Sequence, residues 1–325
     1  MKRDFFKRGV AILTLAFLPL VSCSDDDSNP MPQGNTIADV AASNANLSVL
    51  VDALDRAGLT ATLDGTGSFT VFAPTNQAFN AFLQQKGFDN LEEVPVPLLK
   101  EILLNHVVSG TATSSSLTTG YVKTLAKGSA SSTNTLSMFI NTASGVVING
   151  GASNGGATVT TADVAASNGV VHIVGSVIDL PTVTSHAKAN PNFSILVQAL
   201  TRDDQPDFAG ILSGTQSSPF TVFAPTNAAF GSLLTELDVN GLADIPQATL
   251  ENTLKYHVVT SRNILAASLE DNMIVTTFQG GSFIVNLEGG ASITDANGRV
   301  SNITATDVQA SNGVVHVINK VLLPM

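Results

Sequence analysis

Residues 69–79, FTVFAPTNQAF, recur 151 positions later as residues 220–230, FTVFAPTNAAF, with one substitution. Two further strings recur in the same order, NLSVLVDAL at 46–54 with NFSILVQAL at 192–200, and DVAASNGVVH at 163–172 with DVQASNGVVH at 307–316. Solenoid units repeat every 20 to 50 residues or so, and this period is that of a whole domain. The sequence therefore predicts two copies of one fold.

The repeated eleven-residue string has a structural explanation in each of its parts. Residues 69–72 alternate as a strand, which we expect Ala73-Pro74 to end, because proline lacks the N–H that a sheet ladder requires. Thr75 or Asn76 then caps a helix with apolar residues on one face, and Thr226 or Asn227 does so in the second copy. The string is thus better explained as a fold signature than as an active site.

The other segments predict helices first and strands after, in each copy. Apolar residues at spacings of three, four and seven predict helices at 47–54 and 193–200, short lead-in helices precede them at 36–40 and 182–187, and another helix leads to a histidine. Short β segments follow at 121–125, 136–140, 146–149, 157–161 and 170–178, and in the second copy at 273–277, 282–287, 291–294 and 314–321. This order predicts an α+β domain with antiparallel sheets, twice.

Three separated motifs resemble those of the fasciclin, or FAS1, domain. They are the FTVFAPTN string, a helix ending in Tyr256-His257, and the closing NGVVH string. The resemblance covers both repeats nearly end to end and implies two tandem FAS1 domains, each a wedge-shaped antiparallel β-sandwich with packed N-terminal helices. The first repeat has Asn105-His106 in place of Tyr-His. Any role that the family gives to the tyrosine is therefore open in the first domain.

The N-terminus has the order of a secretory signal. Basic residues at 2–8 precede an apolar run at 10–21, which is shorter than the roughly 20 residues of a membrane-spanning helix. Residues 20–23, LVSC, resemble a bacterial lipobox, which implies a lipid on Cys23, and the alternative is an ordinary signal peptide with a chance cysteine. We expect a signal peptide at 1–22, an acidic flexible tether at 23–35, domain 1 at 36–181 and domain 2 at 182–325.

The net charge of the chain and the position of its acidic residues limit the classes of partner that we expect. Removing residues 1–22 takes away four basic residues and one acid, so the formal net charge moves from −11 to −14. An acidic chain without a basic run is a poor binder of nucleic acid. The acidic residues after Cys23 resemble the surface-export signal of Bacteroidetes lipoproteins, although they are also typical of a solubilising spacer. We therefore expect lipid anchoring in the outer membrane, exposed at the cell surface.

The chain shows no sequence pattern typical of catalysis. It lacks the His-x-x-x-His, Cys-x-x-Cys, Gly-x-Ser-x-Gly and phosphate-loop patterns, and its single cysteine excludes thiolate zinc sites. His106 and His257 are repeat equivalents at helix ends, and His172 and His316 are equivalents in the closing strand, while His186 is unmatched. Equivalence in both domains favours a structural role for these histidines. We expect no catalytic site, no metal and no cofactor.

The expected function is therefore binding. The family resemblance implies a non-enzymatic adhesion or matrix-interaction protein whose partner is an extracellular protein or polysaccharide. The residues that the resemblance suggests as candidate contacts lie around the Pro-Thr-Asn turn and the helix end: Pro74, Thr75, Asn76, His106, Pro225, Thr226, Asn227, Tyr256 and His257. The alternative is a binding module for a small apolar ligand, a pigment or lipid, which would require an open apolar cavity of several hundred Å³. The oligomeric state is left open by the sequence.

Overall fold

The computed structural model describes residues 34–325, which form one compact unit. The predicted signal segment, Cys23 and all but the last two residues of the predicted tether lie outside the described residues. Within 34–325, none of the helices combines the length and the apolar character that crossing a membrane requires.

Domain 1 begins with helices and continues with strands. Its helices are α1 (Ile37–Ala42), α2 (Ser48–Ala57), α3 (Thr60–Asp64), α4 (Asn76–Lys86) and α5 (Val96–Asn105). Its strands are β1 (Phe69–Pro74), β2 (Val107–Ser109), β3 (Gly120–Lys123), β4 (Ser137–Asn141), β5 (Val147–Ile148), β6 (Ala157–Ala166) and β7 (Gly169–Val174).

Domain 2 repeats this order. Its helices are α6 (Val183–Ala189), α7 (Ser194–Leu200), α8 (Phe208–Ser213), α9 (Asn227–Glu236) and α10 (Gln247–Tyr256). Its strands are β8 (Phe220–Pro225), β9 (Val258–Val259), β10 (Met273–Thr276), β11 (Ser282–Asn286), β12 (Ser292–Thr294), β13 (Val300–Ala310) and β14 (Gly313–Ile318). The duplication seen in the sequence is thus a duplication of structure.

The seven strands of each domain form one continuous sheet that folds on itself. Their order is β2-β1-β7-β6-β5-β4-β3 in domain 1 and β10-β11-β12-β13-β14-β8-β9 in domain 2. The long strands β6 and β13 carry bulges and belong to both halves of their sheets, so they turn one half over the other. The predicted α+β fold is confirmed. Its one departure from antiparallel pairing is the central parallel pair, β1 with β7 and β8 with β14.

Two apolar layers hold each domain together. In domain 1, helices α1 to α5 pack on one face of the sheet through a cluster that includes Leu50, Leu54 and Ile102. A second cluster lies between the two halves of the sheet and joins Phe72 of β1 to Met138 of β4. Domain 2 has the same two layers. The predicted helical face of residues 47–54 is therefore the one that builds the helix–sheet core.

The lead-in helices are fixed by caps and by the NG turn of the last hairpin. Thr36 caps α1 in a capping box with Asp39. The Asn168 side chain accepts the N–H of Ile37 at 2.8 Å and donates to the Leu63 carbonyl at 2.7 Å. Asn312 makes the equivalent bonds in domain 2. The turn that the sequence predicts thus also ties the first helix to the last strands.

The first strand ends at Ala73-Pro74, as the sequence predicts, and both residues still belong to it. Strand β1 continues through Pro74, which pairs with Val174. Phe72 donates its N–H to the His106 carbonyl at 3.0 Å, and Thr75 donates to the Val174 carbonyl at 3.3 Å on the opposite side. Since successive N–H groups alternate sides, the missing N–H of Pro74 faces the side where β2 has already ended. The proline therefore costs no ladder bond.

Candidate functional site

The Pro-Thr-Asn turn of domain 1 ties α4 to the helices before it. The Thr75 hydroxyl accepts the N–H of Ala78 at 3.2 Å, which makes Thr75 the N-cap of α4. The Asn76 side chain accepts the N–H of Val49 at 2.9 Å and donates to the Ala45 carbonyl at 2.9 Å. Of the two caps that the sequence left open, Thr75 is the cap, and Asn76 joins α4 to α2.

Domain 2 repeats this turn bond for bond. The Thr226 hydroxyl accepts from Ala229 at 3.3 Å, and the Asn227 side chain accepts the N–H of Ile195 at 2.9 Å. Both turn prolines are buried, and the Thr and Asn side chains are half-buried. A partner contact through Pro74, Thr75, Asn76, Pro225, Thr226 and Asn227 stays a prediction, and the bonds observed in the structure are internal.

His106 is a buried clamp at the end of α5. Its Nδ1 lies 2.7 Å from the Ile102 carbonyl, and its Nε2 lies 2.9 Å from the N–H of Ile178. A carbonyl can only accept and an N–H can only donate, so the proton resides on Nδ1. Burial lowers the pKa of His106 to about 4, which keeps the ring neutral at pH 7.

His257 makes the same clamp in domain 2. Its Nδ1 donates to the Thr253 carbonyl at 2.7 Å, and its Nε2 accepts the N–H of Leu322 at 2.9 Å. Burial again lowers its pKa to about 4. These two rings lock the last helix of each helical layer to the segment that follows the closing strand. Their role as contacts to a partner stays a prediction.

Tyr256 and Asn105 occupy the same position and fill it differently. The Tyr256 hydroxyl donates to the Ser282 carbonyl at 2.6 Å and accepts the N–H of Ala296 at 3.2 Å. Its ring lies between the two halves of the domain 2 sheet. Asn105 instead donates to the Asp179 carbonyl at 2.9 Å. Both side chains are buried, so the substitution changes the interior of the domain rather than its surface.

The closing-strand histidines are also interior. The Nε2 atom of His172 lies 2.9 Å from the Ala112 carbonyl, and that of His316 lies 2.8 Å from the Ile264 carbonyl. Their rings stack on Phe72 and Phe223. Over the part of the chain that the structure describes, no three His, Cys, Asp or Glu side chains gather in a way that could hold a metal ion.

The junction between the two domains brings together residues that the sequence did not assign to a site. The Tyr121 ring of β3 meets the His186 ring of α6 edge to face, with centroids 5.6 Å apart. Burial lowers the pKa of His186 to about 4 and raises that of Tyr121 to about 12, so both rings are neutral at pH 7. The Asn190 amide completes the group, 3.4 Å from the Tyr121 hydroxyl.

Polar contacts flank this aromatic pair. The Lys123 ammonium donates to the Asp307 carbonyl at 2.6 Å, and the N–H of Gln309 donates to the Ser137 hydroxyl at 3.0 Å. Farther along the junction, the N–H of Ala130 donates to the Ser311 carbonyl at 3.1 Å. The outer face of β3–β4 thus docks on α6 and β13 of domain 2.

A cleft of about 470 Å³ opens beside this junction. Its walls carry the aromatic rings of Tyr121 and Phe139, whose centroids lie 4.9 Å apart, and the amides of three asparagines. The remaining lining is small or apolar, and the full set is Thr119, Gly120, Tyr121, Phe139, Asn141, Ala143, Asn190, Pro191, Asn192, Ala305 and Val317. The cleft therefore offers uncharged hydrogen-bonding groups next to an aromatic surface.

The space between helices and sheet is much smaller. It measures about 30 Å³ in domain 2, lined by Phe193, Leu196 and Val315 among others, and about 10 Å³ in domain 1. Ligand pockets typically have about 300 to 1,000 Å³. A surface groove of about 310 Å³ lies elsewhere, between Leu233, Leu237, Leu250 and the chain end at Leu323. An apolar ligand would fit this groove and not the interior.

One signal in the sequence could have indicated the junction. His186 is the histidine without a counterpart in the other repeat, where Val40 stands, and Tyr121 corresponds to Ile274. Both positions differ between copies that otherwise match closely. These two differences between the repeats thus lie at the contact between the domains, whereas the shared strings lie in the interior of each.

The comparisons with known proteins match this architecture. The family model of the fasciclin domain matches residues 45–181 and again residues 191–324. The solved structure of a FAS1 domain pair from the insect cell adhesion molecule Fasciclin I is similar in fold, with a TM-score of 0.50 and 24% identity over 85% of this chain and 95% of that one.

Relatives come from bacteria and animals. Protein sll1483 of Synechocystis is 39% identical over 44% of this chain and 72% of its own length. Human periostin is 27% identical over 83% of this chain, and pig transforming growth factor-beta-induced protein ig-h3 is 30% identical over 81%. The matched regions are 30% of periostin and 35% of ig-h3. The chain thus spans about a third of these longer animal proteins.

Proposed function

Because the chain belongs to the fasciclin domain family, we propose that it is a non-enzymatic adhesion or matrix-interaction protein that binds an extracellular protein or polysaccharide. Support comes from the names of similar proteins, among them a cell adhesion molecule. The histidines that could serve catalysis are buried, hydrogen-bonded and, where burial shifts their pKa, neutral. Binding is the activity that remains for the surface.

The observation that carries the proposal is the cleft at the domain junction. A partner with many hydroxyl or amide groups would find the amides of Asn141 and Asn192 beside the Tyr121 ring, which packs on the buried Phe139 ring. Uncharged polar groups next to aromatic faces suit uncharged ligands such as a polysaccharide or a polar peptide. The two domains would act as one binding unit, since both contribute walls to the cleft.

We further propose that a lipid on Cys23 holds the protein at the outer surface of the outer membrane. The tether of residues 24–35 would then place the compact unit in water. An acyl chain contributes about 0.8 kcal/mol per buried CH₂, so it can hold a domain pair without a spanning helix. Replacing Cys23 by Ser should release the chain from the membrane fraction. Retention of the Cys23→Ser chain in membranes would contradict lipid anchoring.

The binding proposal is tested by presenting residues 34–325 to glycan and matrix-protein arrays. We expect hits that Asn192→Arg weakens, because its side chain is exposed at the mouth of the cleft. Asn240→Arg is the matched control, an exposed asparagine outside the cleft. Signals no stronger than those of an unrelated protein would overturn the proposal. Equal loss in both variants would place the binding surface elsewhere.

A second candidate function is the binding of a small apolar ligand, which the groove of about 310 Å³ near Leu233 and Leu250 favours. Organic extraction of the purified chain followed by mass spectrometry should then release a bound lipid or pigment. Leu237→Arg, at an exposed groove residue, should abolish its recovery. A chain that yields no extract and binds no apolar fluorescent probe would rule out this candidate.

A further inference from the structure

The two domains carry equivalent strand pairs with the same register. In domain 1, Tyr121 of β3 lies opposite Phe139 of β4. In domain 2, Ile274 of β10 lies opposite Ile284 of β11. These side chains point away from the core between the sheet halves, and the alternate residues point into it. Each domain therefore has the same outer face on this strand pair.

The two outer faces differ in what covers them. In domain 1, Phe139 is 3% exposed, and the Tyr121 ring lies against His186 of domain 2. In domain 2, Ile274 is 68% exposed and Ile284 is 40% exposed. The register continues the row from Ile284 through Thr294 to Val300, which is 54% exposed. Domain 2 thus shows an apolar row of Ile274, Ile284 and Val300, here called the open face, where domain 1 has a contact.

Domain 1 carries the counterpart of the surface that makes this contact. In domain 2 the contact comes from His186 and Asn190 of the α6 region and from Asp307 and Gln309 of β13. The repeat alignment and the sheet register assign the equivalent residues in domain 1, here called the α1 face: Val40, Asn44, Asp163 and Ala165. Among these, Asp163 and Ala165 are exposed, and Val40 and Asn44 are half-buried.

The open face and the α1 face are chemically matched. Suppose that the two faces pair as the domains do within the chain. Ile274 then occupies the position of Tyr121, Val40 occupies the position of His186, and the two side chains are in contact. An edge-to-face ring contact is thereby replaced by an aliphatic contact. Ser282 stands where Ser137 accepts a backbone N–H. Lys123 is replaced by Thr276, so no unpaired ammonium is carried into the contact.

We infer that the open face of one copy docks on the α1 face of a second copy, head to tail. Within the chain, the α6 and β13 surface of domain 2 already covers the outer face of β3–β4 in domain 1. The α1 face is the counterpart of that covering surface, and the open face is the counterpart of the covered one. The occupant of the open face is therefore the α1 face of a second copy. Such a contact joins two different surfaces, so each copy keeps one free face and the assembly extends by addition at its ends. The inference is independent of the lipid anchor and of any outside partner.

Sedimentation of residues 34–325 from about 1 μM to about 1 mM tests the pairing. The average mass should rise with concentration. Ile274→Glu should raise the apparent dissociation constant at least about tenfold, because a charge would be buried without a partner. Ile211→Glu is the matched control, since Ile211 is 41% exposed on α8, a helix that belongs to neither face, and its association should equal that of the unchanged chain.

A mixing experiment distinguishes head-to-tail pairing from pairing of the open face with itself. Val40→Glu should block the other end of the contact, and Ala165→Glu repeats this change at an exposed position that leaves α1 intact. Each blocked variant alone should stay monomeric. A mixture of Ile274→Glu and Ala165→Glu should form a one-to-one dimer that grows no further, since one intact face of each kind remains.

Three results would overturn the inference. The unchanged chain could stay monomeric to about 1 mM, or its association could be indifferent to both kinds of variant. In the third, Ala165→Glu and Val40→Glu would associate like the unchanged chain while Ile274→Glu does not, which would mean that the open face pairs with itself. Circular dichroism melts of every variant confirm that the loss of association is not a loss of folding.

Discussion

Strands β3–β4 of domain 1 and β10–β11 of domain 2 have the same register and opposite surroundings. The inner residues of both pairs are apolar: Val122 and Met138 in one, Val275 and Phe283 in the other. The outer residues differ, with Tyr121 and Phe139 packed under domain 2 and Ile274 and Ile284 open. The apolar character of the inner residues is thus the same in both domains, whereas the outer residues differ according to whether that face is covered.

The comparison separates two kinds of similarity between the copies. Residues that clamp the fold, such as Asn76 and Asn227 or His106 and His257, make the same hydrogen bonds in both domains. Residues at the junction, such as His186 and Tyr121, have no chemical equivalent in the other copy. A repeated motif in this chain therefore reports on folding. The differences at His186 and Tyr121 report on contact, whereas the difference between Asn105 and Tyr256 lies in the interior.

Lowering the pH should produce the largest difference between the domains in the loss of stability. Burial holds the pKa of His186 and His257 in domain 2, and of His106 in domain 1, near 4. The unfolded chain, with a histidine pKa of 6.5, binds protons first as the pH falls, so stability is complete above about pH 6.5 and decreases toward pH 4. At pH 5 we expect a loss of about 2 kcal/mol per histidine, hence about 4 kcal/mol in domain 2 and about 2 kcal/mol in domain 1.

Hydrogen exchange measured by mass spectrometry at pH 7.5 and pH 5 checks this difference, with β1 and β8 as reporters of each domain. His316, whose pKa is also lowered by burial, acts in the same direction in domain 2. An equal loss of stability in the two domains would contradict the neutral, buried state of His186.

Truncating the equivalent outer residues should give the next largest difference. Tyr121→Ala removes a ring packed on His186 and should lower the free energy of unfolding by about 2 kcal/mol. Ile274→Ala removes a side chain that is 68% exposed and should cost less than about 0.5 kcal/mol. Urea denaturation at low protein concentration measures both. Similar costs would mean that the two faces are equally covered in solution.

Removing the helix caps should cost the two domains equally, so it should give the smallest difference between them. Thr75→Ala and Thr226→Ala each delete the hydroxyl that accepts the N–H of the third residue of the following helix, at 3.2 and 3.3 Å. Each should cost about 1 kcal/mol. Thr75→Ser and Thr226→Ser keep the hydroxyl and serve as controls in the same denaturation series. A cost in one domain only would argue against equivalent roles for the repeated string.

The sequence predicted what is decided locally. The spacing of Leu50 and Leu54 gave α2, threonine caps gave the helix starts, and Asn168-Gly169 gave the last hairpin turn, because each of these signals acts over a few residues. Most of the bridging partners of Asn168 lie more than a hundred residues away, and the local pattern did not reveal them.

The features that the sequence missed are set by distant parts of the chain. No β segment was predicted between 294 and 314, yet Val300–Ala310 forms β13, whose outer positions are polar or exposed and give no clear alternation. The parallel pairing of β1 with β7 joins segments about 100 residues apart. The contact of Tyr121 with His186 depends on how two finished domains dock, and no local pattern encodes it.

The central claim is that the open face and the α1 face, which are the counterparts of the two surfaces in the domain junction, bind each other between copies of the chain. Methyl NMR on dilution tests this claim most directly. With labelled Ile and Val methyl groups in residues 34–325, we expect Ile274, Ile284 and Val40 to shift together with one common dissociation constant. Ile211, outside both faces, and Val122, which packs against the core from the inner face of β3, should stay fixed. Movement of Ile274 and Ile284 without Val40, or no shift at any concentration, would contradict the account.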